Sequence, residues 1–300
     1  MSEPKFDVIV CGSLHLDIIV EAPHLPRLDE TAVGKSWRQA CGGKGGNQAV
    51  QATRQGARTA MIGRVGADDF GWRLYAHLDA AGVDRSGVRV AGEAGTGMSV
   101  AIVDANGDYG AVIVSGANLS QKATRIVADW RRLGGARVLV LQNEIPEAAN
   151  IAAATIARES GALVVLNAAP ARAMDAALLD LVDVLLVNKV EAEMLSGAPV
   201  GDRPGAIAAL ASLGAGHRTV IVTLGGGGLV VAAPGNAPVE IEALPVSVVS
   251  THGAGDCFAG ALAARLAAGE DVLAACHFAN AEAGAFVGGV HADAAQGRIS

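Results

Sequence analysis

The chain has no apolar run approaching the length of a membrane span, no block of Lys or Arg and no C-x-x-C pair, and each absence removes a class of function. The N-terminal MSEPKFDVIV carries an acidic residue and a proline where a signal peptide needs a basic segment and then a long apolar one. The expected location is therefore the cytoplasm, with no membrane partner. A net charge of −7 without a basic cluster offers no face to a phosphate backbone, which argues against nucleic acid as a partner. The four cysteines, Cys11, Cys41, Cys257 and Cys276, show no metal-like spacing with His and read as small buried hydrophobes in a reducing compartment. Charged residues make up only 18%, whereas 51% of the chain is apolar and 39 residues are Gly, the composition of a compact globular protein. At 300 residues it is long enough for one large or two small domains.

What is present is a rhythm. From about residue 130, runs such as ARVLVL (136–141), ALVVLN (162–167), VDVLLVN (182–188) and RTVIVTLG (218–225) alternate with Ala-rich helical stretches. Strands apolar at every position, rather than every second one, are covered on both faces, as in a parallel sheet flanked by helices. The expected fold is an α/β doubly wound, mostly parallel sheet. Its first strand is placed at FDVIVCG (6–12), followed by a helix starting near Gly45 and a strand at RTAMIG. Residues 13–40 and 95–116 break the rhythm with extended, Gly-punctuated segments, and Asn106-Gly107 is a hairpin signal. They are read as a small β-sheet lid on a main domain built from 1–12, 41–94 and 117–300; the other reading makes them edge strands of the main sheet.

Four segments carry chemistry. GGKGGNQAV (42–50) places glycines around Lys44 and Asn47 at the start of a helix, where backbone can approach a polyhydroxyl or phosphate, although the P-loop spacing is absent. Alone, it is equally an ordinary Gly-rich turn. THGAGDCFAGALAARLAAG (251–269) sets the small residues Gly253, Ala254 and Gly255 before a helix, so that successive N–H groups converge on developing negative charge. Asp256 follows in the first turn, as a base for an attacking hydroxyl or simply as a helix cap. In VNKVEAEMLSG (187–197), Asn188 and Glu191 share one face at a strand's C-terminal edge, as Mg²⁺ ligands or as a capping pair. TLGGGG (223–228) makes room for a flat or phosphorylated ligand, or forms a tight hairpin.

Together these segments resemble the ribokinase-like (PfkB) carbohydrate kinases over about residues 5–290. Gly42, Gly43, Gly45, Asn47, Ala49, Gly56 and Gly66 fit the first family signature, and Ser250–Asp256 with Gly260-Ala261 fits the second. The resemblance implies an ATP-dependent kinase that phosphorylates the terminal hydroxyl of a pentose, with Asp256 as base and the N–H groups of residues 253–256 holding the charge of the transferred group. It assigns Asp17, His15, Gly43, Lys44, Asn47 and Glu144 to the sugar. The nucleotide falls to Asn188, Thr223, Gly225, Gly228, Gly255 and Asn280, and Mg²⁺ to Asn188 and Glu191 through water. It also implies a lid that closes over the sugar and pairs into a homodimer.

Three departures modify these expectations. Ser250 stands where many members carry an Asp of a monovalent-cation site, and GGVHADAAQ (288–296) lacks their usual Gly and Ser, so a K⁺ site near Ser250 and His252 is expected to be weak. His15 replaces an Asn, which alters the sugar that fits. The chain ends at Ser300 without the last helix the family pattern leads one to expect. A kinase of nucleosides or of another pentose or ketose is a neighbouring reading. A sugar-binding regulator that lost activity is a more distant one, against which Asp256, Asn188, Glu191 and the intact GAGD segment argue.

Overall fold

The computed structural model describes residues 3–106 and 108–289. In chain order its elements are β1 (Phe6–Cys11), β2 (His15–Glu21), β3 (Ser36–Gly42), α1 (Lys44–Arg54), β4 (Thr59–Gly66), α2 (Asp69–Ala80), β5 (Asp84–Ala91), β6 (Gly97–Val103), β7 (Tyr109–Val114) and α3 (Ala123–Leu133). There follow β8 (Ala136–Gln142), α4 (Glu147–Glu159), β9 (Leu163–Asn167), α5 (Ala176–Leu179), β10 (Val184–Asn188), α6 (Lys189–Ser196), α7 (Arg203–Ala209), β11 (Thr219–Thr223), β12 (Leu229–Ala232), β13 (Val239–Ile241), α8 (Ala254–Ala267) and α9 (Val272–Val287).

Among the described residues the main sheet runs β13-β12-β11-β10-β9-β8-β1-β4-β5. It is parallel from β11 to β5, and β12 alone is reversed, pairing antiparallel with both β11 and β13. The all-apolar runs are explained by what covers them. Along β1, Ile9 and Cys11 join a core with Trp130, Ala153 and Leu139 on the α3/α4 side, whereas Val8 and Val10 join Ala49, Phe258 and Leu262 on the α1/α8 side. A strand buried on both faces has no position left for a polar side chain. Cys11, Cys257 and Cys276 are buried thiols as expected, while Cys41 is only half-buried; all four are free. Among the described residues no helix is long and apolar enough to cross a membrane.

The segments that broke the rhythm form a separate four-stranded sheet, β3-β2-β6-β7. Among the described residues no strand of it pairs with the main sheet, which excludes the reading as edge strands. β6 and β7 make the expected antiparallel hairpin, closed at Val103↔Tyr109. The Asp104 carboxylate organises its loop by accepting from the N–H groups of Asn106 and Asp108; Gly107 lies outside the described residues.

The sheet positions a site through its order. From β1 the chain proceeds to β4 and β5 on one side, and from β8 to β9, β10 and β11 on the other, so the order reverses between β1 and β8. A crevice opens outside the C-terminal strand ends at such a reversal. Asp68, Asp202 and Asp271 cap α2, α7 and α9 with their side chains, but α1 and α8 begin at Gly43 (φ 86°) and Gly253 (φ 87°) with no side-chain cap. Their first N–H groups are left to another acceptor. The two helices also touch closely: a Cβ at Gly260 would stand 2.6 Å from the Gln48 carbonyl and 2.7 Å from Gln51 Cβ. That contact packs α1 at Gln48–Ala52 against the second turn of α8.

Candidate active site

At the reversal, Ser13 follows β1 and Glu144 follows β8. Ser13 Oγ donates to Glu144 Oε2, and the same oxygen accepts from the Lys44 backbone N–H at 3.0 Å. The GGKGGN turn is thereby anchored to the strand ends. Gly45 allows it, since a Cβ there would lie 2.7 Å from Ser13 N and 2.8 Å from Gly12 C.

One helix turn deeper, Asp256 Oδ2 accepts from Asn47 Nδ2 at 3.0 Å and Oδ1 from Gln48 Nε2 at 2.8 Å. Asp256 is 8% exposed, and Gly253 holds the cap position, so Asp256 is not the cap that the sequence alone left open. Burial pushes its carboxyl above the usual carboxylate range, opposed by Lys44 and by the hydrogen bonds of Asn47 and Gln48, and reinforced by the charge of Glu144. A buried carboxylate of raised basicity, held by two amide donors, is suited to receive a proton. Of the three small-residue N–H groups expected to converge beside it, that of Ala254 closes a turn onto the Thr251 carbonyl at 3.2 Å. Among the described residues, the N–H groups of Gly253, Gly255 and Asp256 are left without partners.

Of the residues expected to face a sugar, His15 and Asp17 lie on β2 of the second sheet. Asp17 Oδ1 accepts from Ser99 Oγ at 2.5 Å, and Asp17 Oδ2 lies against Gly42, where a Cβ would be 2.3 Å away. His15 is buried with no partner on Nε2 among the described residues. Asn118, which the sequence reading passed over, clamps both backbone groups of Leu14, accepting from its N–H at 2.9 Å and donating to its carbonyl at 2.8 Å. Ser13, Gln48 and Gln142 were also missed. The available signal was a polar side chain where strand and helix should be apolar.

The residues expected to face a nucleotide are less tightly joined. Asn188 and Glu191 form a reciprocal capping box on α6, each side chain accepting the other's backbone N–H at 2.9 Å. Burial raises the Glu191 carboxyl, Lys44 opposes this, and Asp256 adds to it, which places the three charges within electrostatic reach. Thr223 Oγ1 reaches the Val187 carbonyl at 3.4 Å. The TLGGGG segment is a hairpin between β11 and β12 that still leaves open space above Gly225 and Gly226. Gly228 is required by packing instead, for a Cβ would lie 2.1 Å from the Ile241 carbonyl. Asn280 Nδ2 donates to the Glu242 carbonyl at 2.8 Å. Ser250 and His252 are exposed, linked only by His252 N–H on Ser250 Oγ at 3.3 Å, and residues 290–296 of the expected cation segment lie outside the described residues. None of Thr223, Gly225, Gly228, Ser250, His252 and Asn280 hydrogen-bonds to the cluster around Asp256.

Comparison with known proteins places this arrangement. The pfkB family carbohydrate kinase model matches residues 5–295. Ribokinase of Mus musculus is 37% identical over 263 residues, covering 87% of this chain and 81% of the relative, and ribokinase of Haemophilus influenzae is 33% identical over 84% and 82%. The solved structure of Arabidopsis thaliana ribokinase complexed with ribose and ATP superimposes with a TM-score of 0.85 at 30% identity, over 96% of this chain and 93% of that one. From its sheet order through its uncapped helices to the buried Asp256, the chain belongs to the pfkB family of carbohydrate kinases.

Proposed function

We propose that this ATP-dependent sugar kinase acts on D-ribose in the cytoplasm, moving the γ-phosphoryl of ATP to the terminal hydroxyl to give ribose 5-phosphate. The observation that carries the reading is the Asp256 carboxylate, fixed by Asn47 and Gln48 beside the unpaired N–H groups of Gly255 and Asp256. Asp256 takes the hydroxyl proton as the oxygen attacks in line, and the two N–H groups with the α8 N-terminus face the charge on the transferred group. Lys44, Asn47, Asp17, His15, Gly43 and Glu144 orient the sugar, so catalysis rests on positioning and electrostatics. The donor set suits Mg²⁺ held at a distance: Glu191 Oε2 and Asn188 Oδ1 are engaged in the capping box, Glu191 Oε1 is spare, and no group of three or more His, Cys, Asp or Glu able to hold a metal occurs among the described residues. Asn188 and Glu191 would hold such an ion through its water, and it supplies neutralisation of phosphate charge. The test is ATP-dependent phosphorylation across a panel of pentoses, hexoses and nucleosides; a nucleoside turned over faster than ribose overturns the assignment.

The second sheet, residues 13–40 and 95–116, is in our reading a lid over the sugar. His15 opens β2 and Gly42 ends β3, so its strands spring from sugar-contacting positions. It also exposes Trp37, Val112, Ile113 and Val114, an apolar set that suits pairing of two lids in a homodimer. Sedimentation velocity is expected to show a dimer that Ile113→Lys converts to monomer.

A weak response to K⁺ follows from Ser250, which brings a hydroxyl rather than a charged oxygen to a solvent-exposed loop. The ratio kcat/KM for ribose in Tris buffer is expected to stay within about threefold when KCl is added, under about 0.7 kcal/mol in barrier. A tenfold stimulation would show that backbone carbonyls suffice to bind the ion.

A further inference from the structure

Behind Asp256 lies a polar chain buried in an otherwise apolar layer. Gln48 and Gln142 are both 0% exposed, one on α1 and one at the end of β8. Gln48 Nε2 donates to Asp256 Oδ1 at 2.8 Å, and Gln142 Nε2 donates to Gln48 Oε1 at 2.7 Å. The direction of these bonds is dictated by chemistry. An ionised carboxylate only accepts, so the Gln48 amide must turn its NH₂ toward Asp256 and its oxygen away, and Gln142 must then offer its own NH₂. The chain ends at Gln142 Oε1, a buried oxygen with no partner among the described residues, pressed so close to Gly12 that a Cβ there would stand 1.8 Å from it. Nothing about packing asks for two glutamines in this place, and a terminal orphan acceptor is costly. It is the expected remainder when every donor in the row is aimed at one anion.

We propose that Gln48 and Gln142 are positioning residues of the phosphoryl transfer, a two-amide relay that locks Asp256 Oδ1 and so leaves Oδ2 as the oxygen that meets the sugar hydroxyl. Gln48 fixes the plane of the carboxylate. Gln142 touches neither substrate nor base and acts only by keeping the Gln48 amide from turning over. Oδ2 shares its remaining contact with Asn47, which also faces the sugar, so the proton is received on the side where the hydroxyl arrives. The inference rests on the reading of Asp256 as base. The other charges that face Asp256 are Lys44 from α1, Glu144 from the turn after β8 and Glu191 from α6, with the Cys257 thiol beside it on α8. None of them bonds to either glutamine.

The test compares Gln48→Met, Gln142→Met and the isosteric Gln142→Glu, measuring kcat and KM for ribose and ATP against pH together with the thermal midpoint. With a donor lost or the Gln48 amide reversed, the carboxylate holds its proton more tightly, and the acid limb of kcat is expected to move up by about one pH unit in all three variants. At neutral pH kcat is expected to fall about 10- to 100-fold while KM for ATP stays within about twofold. Gln142→Glu is the sharper probe, because an ionised carboxylate at that position draws the Gln48 NH₂ away from Asp256. If it fails to fold, the two Met variants decide. A lowered thermal midpoint with an unmoved acid limb makes the glutamines purely structural and overturns the relay. Asp256→Asn separates the two claims: if it retains turnover the base assignment itself fails, whereas a dead Asp256→Asn beside Met variants with the parental pH profile defeats the relay alone.

Discussion

Replacing Asp256 with Asn is expected to lower kcat by about 10²–10⁴-fold while leaving the folded protein at least as stable as the parent at neutral pH. The amide keeps the size of the carboxylate and one acceptor for Asn47 or Gln48 but cannot take the hydroxyl proton. The stability half of the expectation follows from the raised carboxyl. The unfolded chain ionises this group at its ordinary value and the folded chain only above it, so within that window the folded state binds more protons. Stability from this group therefore declines as pH rises through the window, and at neutral pH the ionised Asp256 weighs against folding. Asn removes that load. Below the unfolded value both states are protonated and the advantage of the variant disappears. A helix cap would behave in the opposite way, losing about 1 kcal/mol with chemistry intact. Thermal melts across pH beside single-turnover kinetics distinguish the two; more than a tenth of parental kcat in the variant rules out the base.

The second large effect is expected at Gly45. An alanine there meets Ser13 N at 2.7 Å and both Gly12 C and Ser13 O at 2.8 Å, all backbone atoms that no side-chain rotation can clear. The start of α1 has to lift away from the end of β1, carrying Asn47 and Gln48 off Asp256. Overpacking of this kind costs about 1–3 kcal/mol of stability. A displacement approaching 1 Å in a catalytic array costs about 10²-fold in kcat/KM. Gly56 is the control, at the far end of the same helix with φ 86° and nothing within 4 Å of where a Cβ would stand. Alanine there meets only the left-handed strain of about 1–2 kcal/mol, with kinetics unchanged. Equal kinetic loss in both variants would mean that the first turn of α1 has no special tie to the site.

Much of this was legible in the residues. The uniform apolar runs announced strands covered on both faces, and each became a central parallel strand, because local composition records burial directly. The GAGD and GGKGGN segments were legible because their glycines answer to local geometry. The edges were not. β5 and β13 lie at the two margins of the sheet, where one edge is open and the sequence is mixed, and they left no clear period. Within the site, Asn47 and Asp256 could be named, but the link between Asp256 and Gln48 spans 208 positions and the one between Gln48 and Gln142 spans 94. Nothing local encodes such contacts. The choice between cap and base at Asp256, and the loss of the Ala254 N–H to Thr251, likewise depended on a backbone path that only the assembled helix start reveals.

The order of the main sheet also sets a schedule for its assembly. From β8 to β13 each strand lies beside the one made just before it, so this half can build outward from β8 as the chain emerges, one neighbour at a time. β1 has no such advantage. It gains β4 on one edge after about fifty residues but must wait for β8, paired through Val8↔Val138, before its other edge is covered. Long-range parallel pairing is slow because loop closure precedes its reward. The β1–β8 seam, beside which Ser13, Glu144 and the Asp256 relay meet, is therefore expected to close late, and the catalytic apparatus to mature after most of the strands on either side are in place.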